Sequence, residues 1–348
     1  MTKYAAGIAS AMEPVSAVEC VSATHLNMPP PFRWAFPRYK HVKRMPRRWP
    51  EQLDLVHFTD VFVAPHAGRF PGCPRVSTLH DMIPMEHART WPVSPLRWRL
   101  AFLRSLRSLK RSDAIVTPSE NTKREYLAQV DDDPARVHVV PVVVPDYVQP
   151  PPPGVLREQR TILIVGTTAP YKNVPVLLHA LSDKALGDVR VIRVGGPFRG
   201  EYARLADKLG VAGRFEFRQD ISEEELIRLY QKATVLAQPS LTEGFGMPVA
   251  EAMASGLPVV SSDGGSLPEV GGAAARIVPF RQHHPGPPDL DDARDFGRAL
   301  AEVLDDGAAR ARMSEAGIAE STRFRATAVR EALLTAYASA QDALDRRG

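Results

Sequence analysis

Short, β-branched apolar runs alternate with helical stretches along most of this chain, and this alternation decides its fold class. It occurs on both sides of the proline-rich segment YVQPPPPGVLREQ, Tyr147 to Gln159. Strands that are buried on both faces and alternate with helices predict parallel sheets with helical crossovers. Four consecutive prolines continue neither a helix nor a central strand, so the segment predicts a stiff linker between two units.

The alternation predicts two Rossmann-like α/β domains, at residues 1–150 and 151–325, and a C-terminal helix at 326–348 that could pack back on the first domain. Ligands of such sheets bind beyond the carboxyl ends of the strands, which predicts a site in a cleft between the domains. The predicted strands are Leu53–Phe58, Arg75–Leu79, Ala114–Thr117, Val137–Val144, Thr161–Val165, Arg190–Val194, Phe215–Phe217, Thr234–Ala237, Pro258–Ser261 and Arg276–Val278.

Composition excludes several other classes of protein. With 348 residues, 44% of them hydrophobic and 24% charged, the chain is long and apolar enough for two folded domains. Cys20 and Cys73 are too few for a disulfide scaffold or a zinc cluster and are typical of a reducing compartment. No apolar run approaches the roughly 18 residues of a membrane-spanning helix, and the start lacks the apolar core of a secretory signal. We therefore expect a cytoplasmic protein.

The segment PSLTEGFGMPVAEAMASGLPVV has the pattern of a strand end, a glycine loop and a helix start. Gly244 and Gly246 allow the backbone to approach a ligand closely. Pro248 suits the first position of that helix, and the amides and the dipole of the first helical turn suit a diphosphate. Glu243 in the loop, and Glu251 in what is predicted to be the first turn, would then accept hydrogen bonds from sugar hydroxyls. The alternative is a capped helix in which Glu251 only stabilises the helix start.

This segment resembles the E-x7-E signature of the family 4 retaining glycosyltransferases (glycosyl transferases group 1), with Glu243 and Glu251 as its glutamates. The downstream flank DGGSLPEV, Asp263 to Val270, matches as well. The resemblance covers roughly residues 50–280 and implies the GT-B fold, two Rossmann-like domains facing across a cleft. It implies that Glu251 binds the donor ribose and that Glu243 contacts the transferred sugar. The rest of this donor loop would be Gly244, Phe245, Gly246, Met247 and Pro248.

The segment ILIVGTTAPYKNV predicts a strand, a loop and a helix start with Asn173 as N-cap. Lys172 beside that cap would place a positive charge near a leaving diphosphate, although a surface lysine is the alternative. The segment resembles the family's second phosphate-binding element, G-R-x(4)-K, whose lysine is matched by Lys172. Thr167 stands at the arginine position, which leaves the diphosphate to Lys172 and backbone amides.

In the first half, His80 and Asp81 end a predicted strand in STLHDMIPMEHA. One interpretation is a turn in which Asp81 caps the next segment. The other comes from a resemblance to the family's H-D-x-x-P element, whose histidine faces the reaction centre. The segment DAIVTPSENTKREY also matches a family segment, with Ser119 as a helix N-cap and Lys123 in that helix. We interpret Ser119 and Lys123 as structural first, with acceptor contact as the alternative.

The first half is also basic, with 20 Lys and Arg against 14 Asp and Glu in residues 1–150. Six of these cations lie in Arg38–Arg48, and the predicted helix Leu96–Arg111 has leucines near one face and arginines near another. Weak contact with an anionic membrane is one interpretation, and a solvated basic face is the other. No nucleic-acid motif accompanies the charge, so no nucleic-acid partner is expected.

Together, these residues and the resemblance imply a retaining transferase that moves a mannose- or glucose-like hexose from a nucleotide diphosphate sugar to a hydroxyl acceptor. The acceptor would be a glycan or glycolipid, in cell-surface polysaccharide or glycoconjugate synthesis. No cofactor or metal is expected, since no Asp-x-Asp-centred site is evident. A sugar-nucleotide epimerase on the same fold and a catalytically silent GT-B subunit are the alternatives.

The start of the chain raises a separate expectation. Thr2–Met12 predicts a helix, with Tyr4, Ile8 and Met12 at helical spacing. Related enzymes have a strand and a glycine-rich turn before this helix, and neither precedes it here. Omitting a central strand would leave unpaired backbone groups on its neighbours. We therefore expect either a truncated start or an altered first sheet.

Overall fold

The computed structural model describes residues 3–12, 53–62, 64–86 and 95–347. They form two compact units: unit 1 is Met1–Val143 with Phe324–Gly348, and unit 2 is Val144–Arg323. Each unit contains a parallel sheet with helices, so the predicted fold class is confirmed. The basic segment Arg38–Arg48 lies outside the described residues.

The sheet of unit 1 has the strand order β1-β2-β3-β4 in the described residues. Its strands are β1 (Val56–Phe58), β2 (Arg75–Thr78), β3 (Ala114–Thr117) and β4 (Val137–Val139), and its helices are α1 (Lys3–Met12), α2 (Ile83–Glu86), α3 (Pro95–Ser108), α4 (Glu120–Gln129) and α12 (Ala326–Asp345). Every residue of β2 and β3 is buried, as the apolar runs predict.

Three features of unit 1 bear on the sequence predictions. The strand predicted at Val137–Val144 ends at Val139, because Pro141 and Pro145 have no N–H to continue a ladder. Helix α12 contacts α1 and the sheet strands β2, β3 and β4. The expectation of a truncated start stays a prediction, since residues 13–52 are not described.

The sheet of unit 2 has six parallel strands in the order β10-β9-β8-β5-β6-β7. The strands are β5 (Thr161–Val165), β6 (Arg190–Val194), β7 (Phe215–Arg218), β8 (Val235–Gln238), β9 (Val259–Ser262) and β10 (Arg276–Val278). The helices are α5 (Val174–Leu181), α6 (Glu201–Lys208), α7 (Glu223–Lys232), α8 (Met247–Ala254), α9 (Leu267–Gly271), α10 (Leu290–Asp305) and α11 (Gly307–Ser321). The chain runs outward from β5 to β7 on one side and from β8 to β10 on the other, so the order reverses between β5 and β8. Ligands of doubly wound sheets bind at such a switch point.

The proline-rich segment belongs to unit 2 and is held to it by side chains. Arg157 donates to the carbonyls of Tyr230 (2.8 Å) and Ser255 (2.9 Å), and also to those of Gln231 and Ala233. These carbonyls end α7 and α8, where the helix dipoles favour a cation. One arginine therefore fixes the C-terminal ends of two neighbouring helices.

Every helix in the described part of the chain is too short or too polar to cross a lipid bilayer.

Candidate active site

A buried carboxylate lies in the loop after β8. Glu243 is 8% exposed, and its Oε1 accepts hydrogen bonds from Lys172 Nζ at 2.5 Å, Gln238 Nε2 at 2.7 Å and Ser240 Oγ at 2.7 Å. A buried carboxylate needs a counter-charge and hydrogen bonds in place of its lost hydration. One cation and two neutral donors supply them here. Glu243 and Lys172, which come from two separate sequence motifs, are thus in direct contact.

The turn after β9 holds the Glu243 loop in place. Ser266 donates from its backbone N–H (3.1 Å) and its hydroxyl (3.0 Å) to the Glu243 carbonyl oxygen. A Cβ on Gly265 would lie 2.5 Å from that oxygen, and the φ of Gly265 is +60°. A Cβ on Gly264 would likewise meet the Ser240 carbonyl. The DGGS sequence is therefore needed because two loops pack backbone against backbone.

Lys172 reaches Glu243 from the turn that follows β5. The residues Pro170–Lys172 form a short 3-10 turn. The N–H of Leu241, in the Glu243 loop, donates to the Tyr171 carbonyl at 2.7 Å and joins the two loops. Lys172 is consequently held beside Glu243 by the backbone as well as by its own charge.

Two neighbours of Lys172 differ in their roles. Thr167 Oγ1 accepts a hydrogen bond from the Ala169 N–H at 3.3 Å, so this hydroxyl supports the turn. Asn173 stands at the N-cap of α5, but its side chain makes no capping bond. The predicted capping by Asn173 is wrong because its backbone is left-handed (φ 52°), whereas a capping side chain needs an extended backbone.

The glycine loop ends at α8. Gly246 has a φ of +90°, and a Cβ there would lie 2.8 Å from the Leu267 side chain. Gly244 is partly exposed and Phe245 is buried. The helix begins at Met247, so Pro248 is its second residue rather than its first.

Glu251 is the fifth residue of α8, and its predicted place in the first turn is wrong because the helix starts one residue earlier than predicted. Its carboxylate is buried and accepts a hydrogen bond from the Tyr230 hydroxyl at 2.9 Å. Burial and the charge of Glu251 raise the pKa of Tyr230 well above its ordinary value, so the phenol remains a donor. Glu251 is therefore oriented by a fully buried neighbour and does not cap its own helix.

A cleft opens at the switch point between β5 and β8. Its lining combines the apolar base of the sheet with a few polar groups: Ile164, Val165, Gly166, Thr167, Lys172, Val174, Leu177, Arg193, Gln238, Pro239 and Ser240. Apolar walls with few convergent polar groups are typical of a small-molecule site.

The residues predicted in the first half lie in unit 1. His80 Nε2 donates to the Thr59 carbonyl at 2.7 Å. Asp81 Oδ1 accepts from the N–H of Ile83, the first residue of α2, at 3.0 Å. This contact is the capping turn given above as one interpretation of Asp81.

Ser119 caps α4, as predicted, because its side chain accepts a hydrogen bond from the Thr122 N–H at 3.1 Å. Lys123 lies in the same helix. Burial and, to a lesser degree, the charge of Lys123 lower the pKa of His138 on β4. Ser119 thus has a structural partner of its own.

Sequence reasoning missed four residues of the unit 2 site: Tyr230, Gln238, Ser240 and Arg193. A polar residue at the carboxyl end of β8 was a usable signal for Gln238 and Ser240. An arginine within a predicted buried strand was a signal for Arg193. Tyr230 gave none, because an aromatic residue on the inner face of an amphipathic helix is typical of a core position.

We expect Gly265→Ala to destabilise unit 2 by about 2–4 kcal/mol, since the new methyl group adds left-handed strain and overlaps the Glu243 carbonyl. Calorimetric melting of the purified chain measures the change. Gly213→Ala is the matched control, because nothing lies within 4 Å of its added Cβ. Equal melting temperatures for the two variants would contradict this role of the turn.

Comparison with known proteins gives two family models that together span most of the chain. The model described as "Glycosyl transferases group 1" matches residues 149–320, and the model described as "Glycosyltransferase Family 4" matches residues 8–146.

Two curated relatives come from mycobacteria. An MMP alpha-(1->4)-mannosyltransferase of Mycolicibacterium hassiacum is 32% identical over 263 residues, 69% of this chain and 61% of the relative. A D-inositol 3-phosphate glycosyltransferase of Mycolicibacterium smegmatis is 29% identical over 287 residues, 77% of this chain and 62% of the relative. The chain thus spans about three-fifths of the length of these relatives.

Solved structures show the same fold at low identity. Anabaena Alr3699/HepE in complex with UDP and glucose matches with a TM-score of 0.66 and 18% identity over 81% of this chain and 77% of that one. Sucrose-phosphate synthase from Thermosynechococcus elongatus matches with a TM-score of 0.66 and 19% identity over 82% and 73%. The fold is the GT-B fold implied by the sequence motifs, and the chain belongs to the glycosyl transferases of group 1 and family 4.

Proposed function

We propose that this chain is a retaining glycosyltransferase that moves a hexose from a nucleotide diphosphate sugar to a hydroxyl acceptor. One observation carries the proposal. The buried Glu243 carboxylate, held by Lys172 and two neutral donors, lies where the strand order of a doubly wound sheet reverses. A sheet of this kind binds nucleotides at that point, and membership of the glycosyl transferase family agrees with a sugar nucleotide as the ligand.

The donor diphosphate is proposed to bind between Lys172 and the N-terminal end of α8. Lys172 has three N–H donors, so it can contact a phosphate oxygen while it still donates to Glu243. Helix α8 presents its positive dipole end at Met247, directly after the glycine loop Gly244–Gly246. Thr167 lines the same cleft beside Lys172.

The two glutamates are proposed to bind hydroxyl groups of the donor. Glu251, oriented by Tyr230, would accept from the ribose hydroxyls. Glu243 would accept from hydroxyls of the transferred sugar. A carboxylate is an acceptor with several lone pairs, and the hydrogen bonds already present on Oε1 leave Oε2 for such a contact.

The proposed reaction proceeds on one face of the sugar. The bond from the anomeric carbon to the diphosphate breaks, the acceptor oxygen attacks from the same face, and the acceptor proton passes to the leaving diphosphate. Lys172 and the α8 amides stabilise the charge that develops on the diphosphate, because they are already oriented before the reaction starts. His80, which lies in unit 1, is proposed as a second catalytic residue. Asp81, Ser119 and Lys123 remain acceptor-side candidates, although the first two already make capping bonds.

The relatives indicate which sugar and acceptor to test first. Their names specify a mannosyltransferase and an inositol phosphate glycosyltransferase, and one structural neighbour holds UDP and glucose. We propose a mannose- or glucose-like donor and a glycan or glycolipid acceptor, in cell-surface polysaccharide or glycoconjugate synthesis. The low cysteine content agrees with a cytoplasmic location.

Glu251→Ala is expected to weaken nucleotide diphosphate binding by about 1–3 kcal/mol, through lost hydrogen bonds to ribose. Glu243→Gln is expected to lower the transfer rate more than it lowers that affinity, because Glu243 contacts the sugar and not the nucleotide. Calorimetric titration and a radiolabelled-sugar transfer assay measure the two effects. Glu224→Gln, on the exposed surface of α7, is the matched control. Wild-type transfer by both site variants would rule out the assignment.

Metal independence is also part of the proposal, because Lys172 and the α8 terminus supply positive charge for the diphosphate. We expect the transfer rate to be unchanged by EDTA. Within the described residues, no three His, Cys, Asp or Glu side chains converge as metal ligands. Activity that is abolished by EDTA and restored by Mg²⁺ or Mn²⁺ would overturn metal independence while leaving the fold and family unaffected.

A weak contact with anionic membrane is proposed for α3. Leu96 and Leu100 are 67% and 53% exposed, and Arg104 and Arg107 on the same helix are exposed as well. Each basic residue near an anionic surface is worth about 1 kcal/mol. We expect sedimentation with anionic but not neutral liposomes, and weaker sedimentation after Leu96→Ser with Leu100→Ser. Leu156→Ser in unit 2, at an 86% exposed leucine, is the control. Equal sedimentation with both lipids would exclude the contact.

A further inference from the structure

Arg193 is a buried arginine at the base of the unit 2 cleft. It is the fourth residue of β6 and is only 2% exposed. Val191 and Ile192, on the same strand, are buried in the core. Its guanidinium donates to the carbonyl of Gly196 at 2.6 Å and to that of Gly166 at 2.9 Å. Both carbonyls belong to loops at the carboxyl ends of strands, β6 and β5.

The charge of Arg193 has no carboxylate partner in the described part of the chain. The two carbonyls and the Phe198 ring, whose centroid lies 5.2 Å from the guanidinium carbon, compensate the charge only partly. Burial lowers the pKa of Arg193 below the ordinary arginine value. An isolated buried cation is costly, and an anion that binds beside it removes part of that cost.

Arg193 and Lys172 both lie next to Gly166. The carbonyl of Gly166 accepts from Arg193, and a Cβ built on Gly166 would lie 3.7 Å from Lys172 Cε. Among the residues that line the cleft, these two are the charged ones. Glu243 pairs with Lys172 and not with Arg193, so one carboxylate stands against two cations. This cleft therefore has a net positive charge before any ligand binds.

We propose that Arg193 is the second cation of the diphosphate site, acting through its charge and through its hold on the Gly166 carbonyl. The proposal rests on the function proposed above. It accounts for Thr167, which stands at the arginine position of the phosphate-binding element G-R-x(4)-K. Arg193 supplies the positive charge that Thr167 lacks, from the neighbouring strand instead of from the loop. Arg193 is thus a positioning residue, since its own donors bind backbone carbonyls.

The alternative role is a neutral one, in which Arg193 only ties the loops after β5 and β6 together. The two roles differ in how binding depends on ligand charge. If Arg193 only ties the loops, its removal lowers the affinity for all ligands of the cleft alike, because the loops lose their shape. If Arg193 acts through its charge, its removal lowers the affinity for each ligand in proportion to that ligand's negative charge.

The test uses Arg193→Gln and Arg193→Met as uncharged variants and Arg193→Lys as the variant that keeps the charge. Arg190→Gln is the matched control, since Arg190 lies on the same strand but is exposed and pairs with Glu158 and Glu216. Calorimetric titration of the whole chain measures binding of inorganic pyrophosphate. It is repeated with the nucleoside, monophosphate and diphosphate of uridine and of guanosine.

We expect the uncharged variants to lose about tenfold or more in affinity for pyrophosphate and for the diphosphate that the wild type binds. The loss should be smaller for the monophosphate and absent for the nucleoside. Arg193→Lys should retain most of the affinity, and Arg190→Gln all of it. An equal loss for nucleoside and diphosphate, or a loss as large in Arg193→Lys as in Arg193→Gln, would overturn the proposal in favour of the structural tie.

Failure of the proposed function would look different. If wild-type protein binds pyrophosphate in an Arg193-dependent way but transfers no sugar, the anion site stands and the transferase assignment fails. If wild-type protein binds neither pyrophosphate nor either diphosphate, Arg193 is not part of an anion site and the inference is wrong.

Discussion

The contact between Lys172 and Glu243 depends on two loops whose backbones are locked together. Neither side chain could hold the other in water, because an exposed ion pair of this kind contributes little. Here the Leu241 N–H donates to the Tyr171 carbonyl, and the turn after β9 packs closely against the Glu243 carbonyl and donates a hydrogen bond to it. The carboxylate is therefore buried before any ligand arrives. Charged groups that are fixed in advance need no reorganisation when a ligand or transition state develops charge.

Backbone carbonyls anchor two arginines of unit 2, the half-buried Arg157 and the buried Arg193, with different consequences. Arg157 binds the C-terminal ends of α7 and α8, where the helix dipoles stabilise a cation. Its effect is to hold the helices that carry Tyr230 and Glu251 at a constant spacing. Arg193 binds loop carbonyls at the switch point, where no helix end absorbs its charge. Arg157 is therefore a structural residue, whereas the charge of Arg193 is available to the anion that is proposed to bind in the cleft.

The strand and helix pattern of unit 2 was largely predictable from the chain alone. Thr161–Val165, Arg190–Val194 and Arg276–Val278 have the predicted bounds, because each strand ends directly before a glycine or a proline that marks its end in the sequence. In unit 1, Val137–Val144 was predicted too long. The apolar composition continues past Val139, but the prolines there have no N–H to donate to a neighbouring strand. The strand therefore ends although the hydrophobic pattern continues.

The sequence by itself determined the fold class and the motifs that supply Glu243, Glu251 and Lys172, because local spacing and residue type carry that information. Tertiary structure alone decided their partners. Lys172 and Glu243 are 71 residues apart, and Tyr230 lies 21 residues from Glu251. Such contacts depend on which strands become neighbours and on how loop backbones pack. A periodic pattern along the chain specifies which face of an element is buried, but it does not specify which distant side chain that face will meet.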